Sequence, residues 1–291
     1  MWKDMRQMLK YAAAASAALL CACTLRAQTD VSLFWRADSV QVAEIVSAQP
    51  VQYGFVGHHG PAVENSHFAL RIYFNDSGAV DLYSKSGARM ELLEYLWYPT
   101  GEQQREEGAG RDEYLTGRTL GLGGIALWDG EEVLLLKATK GRTARVGRTR
   151  GGAFAEMIAY GVPYRGGFVD ISLRIEMKNR GRDATITASE LGGREVQFVT
   201  GVNYPEGAEV ECGRKYVAVW GAHPADVSRE PFPIGAGMRF RPGRFESVEQ
   251  LPDMVRLISK PASEISTEVT ASSVIDDELD SAEAFFEYVR K

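Results

Sequence analysis

The residues best suited to chemistry lie close together, between His58 and Tyr73, in the run HHGPAVENSHFALRIY. Three of the four histidines of the chain fall in this run. Side chains alternate between the two faces of a β-strand, so a strand over Val63–Phe74 would separate apolar from polar residues. Its polar face would carry an amide, a base, a cation and an aromatic ring, from Asn65, His67, Arg71 and Tyr73. We expect such a face to bind a polar ligand.

A base beside a cation suits proton abstraction next to a carboxylate, because the cation stabilises the negative charge that develops. His67 is the predicted general base, since an imidazole titrates near neutral pH. Arg71 is the predicted partner of a substrate carboxylate, and Tyr114 or Glu156 the predicted proton donor. A plain hydrogen-bonding role for His67 is the alternative.

Two further runs alternate in the same manner, one through Asp81 and Tyr83 and one through Ser172 and Arg174. If these strands are neighbours of the first, their polar faces form one concave surface. Sugar rings stack on aromatic side chains there, and charged groups bind hydroxyls or a carboxylate. The alternative is an outer sheet face in contact with water, which is common in antiparallel sheets. The predicted substrate-binding residues are His58, Asn65, Arg71, Tyr73, Tyr83, Lys85, Asp112, Tyr160 and Arg174.

The sequence predicts neither a metal site nor a cofactor. His58 and His59 are adjacent, and adjacent side chains on a strand point to opposite faces. Together with His67 and Glu64 they match no zinc-ligand spacing. A G-x-G-x-x-A match begins at Gly121, but strand-like sequence follows it where a dinucleotide-binding motif needs a helix.

The N-terminus is a predicted targeting segment, in which basic residues precede an apolar stretch too short to cross a bilayer. We expect a signal peptide of residues 1–27, cleaved after Ala27. The lipobox-like run LCAC instead predicts removal of residues 1–22 and lipidation of Cys23. The protein is therefore expected to be exported by a bacterium, to the periplasm or, if lipidated, to the outer membrane. Membrane contact is expected only through that lipid.

Net charge narrows the classes of partner. The whole chain carries −6 at pH 7, and the leader is itself basic, so the remainder is more acidic still. Such a balance argues against nucleic acid as a partner. It does not exclude an acidic sugar as a ligand, because a few cations near the binding site can outweigh the diffuse negative charge of the whole protein. The oligomeric state is left open.

Short strands with turns between them dominate the remaining pattern. Asn75–Gly78 and Asp129–Gly130 are predicted hairpin turns. The polar, glycine-rich stretch Thr100–Gly124 is predicted to be a loop over one end of the fold, and Leu279–Val289 a short helix capped by Asp276 or Asp280. These signals predict one all-β domain over residues 28–291, a large antiparallel β-sandwich with a short C-terminal helix.

Six runs resemble the secreted domain-of-unknown-function family 4861. They are VENSHFALRIYF, LEYLWYPT, GAGRDEYLTGRTLGLGGIALWDG, EMIAYGVPYRGGFVDI, VQFVTGVNYPEG and AEAFFEYVRK. The resemblance implies the β-supersandwich of galactose mutarotases and some polysaccharide lyases, and a role in bacterial breakdown of plant rhamnogalacturonan. It carries over no catalytic residue. Tyr114 and Gly117 match the family's GADYYKVG pattern, whereas Leu115 and Thr116 replace its cationic part, which argues against this loop binding a carboxylate.

These observations predict an exported carbohydrate-active protein that acts on uronate-containing fragments of pectin or rhamnogalacturonan type. Epimerisation, β-elimination and hydrolysis all remain open as reactions. A lipoprotein that binds oligosaccharide or polysaccharide without turnover is the second hypothesis, and an accessory subunit of a transport complex the third.

Overall fold

The computed structural model describes residues 29–48, 53–96, 99–225 and 231–291. The predicted leader and Cys23 lie outside these ranges. The two α-helices in them are α1 (Gly101–Glu106) and α2 (Ala282–Arg290). The strands in chain order are β1 (Thr29–Ser32), β2 (Glu44–Ser47), β3 (Ala62–Asn65), β4 (Phe68–Ile72), β5 (Val80–Ser84), β6 (Ala126–Trp128), β7 (Val133–Leu134), β8 (Arg142–Thr149), β9 (Gly152–Tyr164), β10 (Gly167–Lys178), β11 (Ala184–Glu190), β12 (Gln197–Asn203), β13 (Glu209–Cys212), β14 (Tyr216–Ala222), β15 (Pro233–Arg239), β16 (Phe245–Gln250), β17 (Met254–Ser259) and β18 (Glu264–Ser273).

One layer is a nine-stranded antiparallel sheet in the order β13-β14-β15-β18-β11-β10-β9-β8-β2. Its strands follow the alternation expected of a sheet with one buried face. Along β10, Leu173, Ile175 and Met177 are buried, whereas Arg174 is half-buried and Glu176 exposed. The apolar side chains of this sheet therefore face inwards and its charged side chains face solvent.

The second layer joins a four-stranded sheet, β1-β3-β4-β5, to a five-stranded sheet, β16-β17-β12-β6-β7. Residues 120–123 connect them. Leu122 N donates to the Val80 carbonyl of β5 (3.0 Å), and Gly123 N donates to the Gly201 carbonyl of β12 (2.9 Å). A Cβ on Gly121 would lie 2.0 Å from the Val80 carbonyl oxygen, and its φ is +69°, so glycine is required there.

The stretch Thr100–Gly124 is mostly irregular, as its composition predicts, but it contains a short helix and pairs with both sheets. It begins with α1, which Thr100 and Gln103 cap reciprocally. It then pairs with β5 through an Arg111–Ser84 bridge and ends as the connection between the two sheets.

A single large core lies between the layers. Val63 and Leu70 of the four-stranded sheet, Phe198 of β12, and Met157 and Leu173 of the nine-stranded sheet belong to one cluster of buried side chains. Fully burying a side chain of this size stabilises the fold by about 1.5–3 kcal/mol. The predicted all-β sandwich is confirmed.

The predicted strand over Val63–Phe74 is wrong. β3 and β4 are two antiparallel strands, with Val63 opposite Leu70 and Ala62 opposite Arg71. The chain reverses at Ser66 and His67, so His67 lies in a turn and does not share a strand face with Arg71. Asn-Ser is a turn-forming pair, and this local preference overrides the regular alternation around it.

The C-terminal helix is confirmed and its predicted cap is wrong. Ser281, and neither predicted aspartate, accepts a hydrogen bond from Ala284 N at 3.5 Å. Phe285 and Val289 of α2 pack over Gly235 and Gly237 of β15, where an added Cβ would lie 2.8 and 2.7 Å from their side chains. No helix in the described ranges is long and apolar enough to cross a membrane.

Candidate functional site

The outward face of the four-stranded sheet carries a buried network of charged residues. Arg71 lies opposite Asp81, and Ala69 opposite Tyr83, so these side chains are on the face opposite to Leu70 and the core. Residues 85–96 and 99–112 cover this face. A cavity of about 20 Å³ lies under the cover, next to His58 and Arg71. That volume holds about one water molecule and no sugar.

Arg71 is neutralised inside this network. Its Nε donates to Asp81 at 3.0 Å and its Nη2 donates to Asp112 at 2.8 Å. Tyr73 donates its hydroxyl to Asp81 at 2.7 Å, and burial followed by the Asp81 charge raises the pKa of Tyr73. Two carboxylates thus compensate one guanidinium that is 8% exposed, which leaves it little charge for a substrate carboxylate.

Lys85 is a second buried cation with internal partners. Its Nζ pairs with Glu64 and donates to the carbonyls of Asn65 (2.6 Å) and Arg89 (2.8 Å). Glu64 also accepts from the backbone N–H of Glu91 at 2.9 Å. Burial lowers the pKa of Lys85, and the Glu64 charge opposes that shift. The pair fixes residues 85–92 onto the sheet instead of contacting a ligand.

His58 and Tyr83 complete the buried network. Nε2 of His58 lies 3.1 Å from Ser32 Oγ, and burial lowers the pKa of His58 to about 3. Tyr83 donates to Glu91 at 2.7 Å, and burial raises its pKa. His58 and His59 both have positive φ, 52° and 62°, a conformation in which histidine is enriched among non-glycine residues.

A groove of about 1140 Å³ opens at the turn between β3 and β4. It is large enough for an oligosaccharide, since drug-sized ligands occupy about 300–1,000 Å³. Its walls come from the β3–β4 turn, the covering segment and the β10–β11 turn. The lining residues are Ser66, His67, Ala88, Arg89, Met90, Glu94, Glu107, Asn179, Arg180 and Gly181.

His67 is the groove residue that the sequence singled out. Its ring is half-buried and makes no hydrogen bond or ion pair with any residue that the structure describes. Burial, and secondly the charge of Arg182, lower its pKa, while Glu278 and Asp276 oppose the shift. The imidazole is therefore neutral at neutral pH and able to accept a proton.

Arg180 and Asn179 are groove residues that the sequence analysis missed. Arg180 is exposed, and its guanidinium forms no ion pair within the described ranges. Asn179 accepts a hydrogen bond from Thr29 at 2.7 Å through Oδ1, and its Nδ2 donates to no described residue. The run Asn179–Asp183 is a polar turn in sequence, and nothing in one sequence relates it to His67.

Arg89 lines the groove as well, but its charge is compensated. It donates to Glu94 at 3.0 Å and to the Tyr95 hydroxyl at 2.6 Å. Glu107 accepts from the same hydroxyl at 2.7 Å. Burial, and secondly the hydrogen bond to Glu107, raise the pKa of Tyr95 to about 12. The carboxylates of the groove are thus engaged with neighbours.

The other predicted site residues lie elsewhere. Tyr114 is in the core, where its ring packs against His223 at a tilt of 55°, with centroids 4.6 Å apart, and its hydroxyl donates to the Asn203 carbonyl at 3.3 Å. Glu156 lies between Arg145 and Arg174 on the outward face of the nine-stranded sheet. It accepts from Ser172 at 2.9 Å.

The single concave surface expected from three alternating strands is therefore wrong. Only β4 and β5 are neighbours, and Arg71 and Tyr83 point away from the core on their own layer. Tyr160, Glu156 and Arg174 point away from the core on the opposite layer. Arg174 stacks on Phe154 there, at 3.6 Å from Cζ to the ring centroid.

Asn65 is buried and contacts the backbone on both sides of the groove. Its Oδ1 accepts from the backbone N–H of His67 (2.8 Å) and Phe68 (3.0 Å), and its Nδ2 donates to the Arg182 carbonyl (2.7 Å). In this arrangement its amide is not available to a substrate. Within the described ranges, no three His, Cys, Asp or Glu side chains are grouped so as to hold a metal ion.

Comparison with solved structures gives only remote likenesses. The 4-alpha-glucanotransferase from Thermococcus litoralis matches at a TM-score of 0.37 and 12% identity, over 80% of this chain and 40% of that one. The heparan sulfate lyase HepC from Pedobacter heparinus matches at 0.38 and 8%, over 74% and 33%. A heparinase III matches at 0.37 and 12%, over 87% and 36%. This chain thus spans about two fifths or less of those chains, and likeness at this level does not establish a shared activity.

Curated proteins give no significant match to this chain. A family model does match, with the description "Domain of unknown function (DUF4861)", over residues 15–291. The family resemblance expected from the six sequence runs is confirmed. The role in plant polysaccharide breakdown stays a prediction.

Proposed function

This chain belongs to the family DUF4861, and we propose that its groove at the β3–β4 turn binds a uronate-containing oligosaccharide, from which His67 abstracts a proton. One observation carries the proposal. His67, whose ring makes no hydrogen bond to any described residue, shares a groove of about 1140 Å³ with Arg180, which forms no ion pair with any described residue.

The role of His67 follows from its protonation state. An imidazole that acts as general base must be unprotonated at the working pH, with one ring nitrogen free to accept the proton. Burial and Arg182 keep the pKa of His67 below its ordinary value, so the ring accepts a proton without first losing one.

Arg180 supplies the second requirement. A hydrogen on the carbon next to a carboxylate becomes acidic when a cation neutralises that carboxylate, because negative charge develops on it during abstraction. A guanidinium binds a carboxylate with two parallel hydrogen bonds. Asn179 offers an amide donor beside it for a hydroxyl or the same carboxylate. Arg180 thus replaces Arg71 in the role that the sequence assigned to Arg71.

The state of the carboxylates favours elimination over hydrolysis. Most glycoside hydrolases need two carboxyl groups flanking the scissile bond, and here Glu94 pairs with Arg89 and Glu107 accepts from Tyr95. In the elimination, His67 takes the ring proton and the electrons of that C–H bond form a C=C bond. The neighbouring C–O bond breaks, and its oxygen leaves with the bonding electrons and takes up a proton from solvent water.

The test is incubation with oligogalacturonate and rhamnogalacturonan oligosaccharides, read by mass and by the absorbance of an unsaturated uronate. Elimination gives fragments whose masses add up to the substrate, whereas hydrolysis adds one water. His67→Asn should abolish turnover and keep the fold. His59→Asn is the matched control, because His59 is also half-buried and also has a lowered pKa but does not line the groove. Full activity in His67→Asn refutes the assignment.

Binding without turnover is the second candidate function, and the engaged carboxylates favour it as well. No carboxylate that lines the described groove is free to protonate a leaving oxygen. Under this hypothesis the wild-type protein binds the oligosaccharide, loses affinity in Arg180→Ala, and gives no product on prolonged incubation.

A further inference from the structure

The turn that carries His67 is closed by a single buried side chain. Asn65 is 1% exposed. Its Oδ1 accepts from the backbone N–H groups of His67 at 2.8 Å and Phe68 at 3.0 Å. This is the Asx-turn geometry, in which an asparagine side chain replaces a backbone acceptor. The direction in which the imidazole leaves the backbone therefore depends on Asn65.

The other end of the same amide reaches across the groove. Asn65 Nδ2 donates to the carbonyl of Arg182 at 2.7 Å, 117 residues further along the chain. Arg182 follows Arg180 by two residues, in the β10–β11 turn. One planar amide thus joins the backbone of His67 to the turn that carries Arg180.

Both anchors of this amide are themselves rigid. The Arg182 guanidinium is buried and forms two hydrogen bonds with Asp276, at 2.7 and 2.9 Å, and a third with the Ala271 carbonyl at 3.1 Å. On the other side, the Asn65 carbonyl accepts from buried Lys85. Movement of Asn65 would break contacts in both layers of the sandwich.

We propose that Asn65 is a positioning residue that holds His67 and Arg180 at a fixed separation, so that base and cation engage one sugar unit together. This proposal rests on the proposed function of the groove. Asn65 itself does not contact the substrate, in contrast to the substrate-binding role that the sequence suggested. Its contribution is pre-organisation, for which a displacement of about 1 Å costs roughly 100-fold in rate.

Asn75 provides a matched control within the same sheet. Its Oδ1 accepts from Ser77 N at 2.8 Å and from the Ser77 hydroxyl at 2.6 Å, so it closes the β4–β5 turn by the same local geometry. That turn lies at the other end of β4, and Asn75 makes no side-chain bond to the β10–β11 turn. A general effect of removing an Asx turn will appear in both variants, and a positioning effect only in one.

The experiment compares Asn65→Ala, Asn65→Ser and Asn75→Ala on oligogalacturonate. Asn65→Ala should lower kcat/KM about 100-fold, through both constants, and Asn75→Ala should stay within about twofold of wild type. Asn65→Ser keeps a hydroxyl acceptor for the turn and has no amide donor for the Arg182 carbonyl. It should therefore recover kcat while KM remains raised. Equal kcat/KM in Asn65→Ala and wild type, with both folded, overturns the proposal.

A second measurement needs no turnover and separates this proposal from the proposed function. The imidazole of His67 is titrated by NMR in wild type and in folded Asn65 variants. Arg182, Asp276, Asp277 and Glu278 surround the ring, and Arg89, Glu94, Glu107 and Arg180 line the same groove. If Asn65 places the ring among them, its midpoint should move towards 6.5 in Asn65→Ala and stay unchanged in Asn75→Ala.

An unchanged midpoint in folded Asn65→Ala overturns the positioning role even if the wild-type enzyme is active. Absence of binding and turnover in the wild type, with a shifted midpoint, refutes the proposed function and leaves the positioning of His67 intact. If Asn65→Ala does not fold, Asn65→Ser decides between these outcomes by the same two readouts.

Discussion

Two cations near the same hairpin have opposite surroundings. Arg71 on β4 is buried against Asp81 and Asp112, whereas Arg180 stands exposed in the groove and has no internal partner among the described residues. The histidines repeat the contrast, since His58 is buried beside Ser32 and His67 faces the groove. A charged side chain with internal counter-ions supports the fold, and one without them is available to a ligand.

The protein should lose the most stability when one charge is removed from the buried network on the four-stranded sheet. Lys85→Met leaves Glu64 buried without its counter-ion, and removal of one partner of a buried pair costs about 3–5 kcal/mol in the free energy of unfolding. Urea unfolding measures this. Lys137→Met, at an exposed lysine, is the control and should change the free energy by about 0.5 kcal/mol or less. A decrease of less than about 1 kcal/mol in the free energy of unfolding of Lys85→Met would contradict a stabilising role for Lys85.

Low pH should lower the free energy of unfolding because His58 is buried in the same network. Its pKa is about 3 in the folded protein, from 6.5 ordinarily, because burial disfavours the charged ring. The unfolded chain therefore binds a proton that the folded chain does not between these two values, and stability is lost as pH falls. His58 should contribute about 1.4 kcal/mol of lost unfolding free energy per pH unit in that window.

Unfolding curves at several pH values between 7 and 4 measure that slope. His58→Asn tolerates the left-handed backbone at this position and should show a shallower slope than wild type. Identical slopes in the two proteins would contradict the assignment of the acid sensitivity to His58.

Substitutions in the groove should change the affinity for the ligand and leave the free energy of unfolding almost unchanged. Arg180→Ala should weaken the affinity for oligogalacturonate about tenfold or more, because a hydrogen bond to a charged group contributes about 1.5–3 kcal/mol. Its free energy of unfolding should change by about 0.5 kcal/mol or less. Calorimetry at low and high salt adds a second readout, since salt screens an exposed cation. Arg174→Ala, on the outward face of β10 and outside the groove, should leave binding unchanged. An equal loss of affinity in Arg174→Ala would show that the ligand does not bind in the groove.

The sequence predicted the secondary structure correctly where the pattern depends on neighbouring residues. The apolar inner residues of β10 and the Asn75 turn predicted a strand and a hairpin correctly, because alternation and Asx turns depend only on near neighbours. β8 and β18 were not predicted. Charged Arg145 and Arg148 occupy β8, and Thr267, Thr270 and their serine neighbours occupy β18, so neither run has a clear apolar face.

The site was readable only in part, because it joins segments that are distant in the chain. His67 was identified from its residue type, although its predicted place on a strand was wrong. Arg180 was missed, since its nearness to His67 depends on the hydrogen bond between Asn65 and Arg182. The sequence suggested that Arg71 binds a substrate carboxylate. Its two counter-ions, Asp81 and Asp112, lie 10 and 41 residues away in the chain, so their pairing with Arg71 could not be read from neighbouring residues.

The connection at residues 120–123 has a consequence for synthesis of the chain. β5 is complete at Ser84, but the segment that pairs with its free side begins only at Arg111 and continues to Leu122, and β12 ends only at Asn203. An incomplete chain that stops between these points presents an unpaired strand edge, which is a template for association with other chains. Truncated forms that end before Arg111 should therefore aggregate more readily than forms that end after β12.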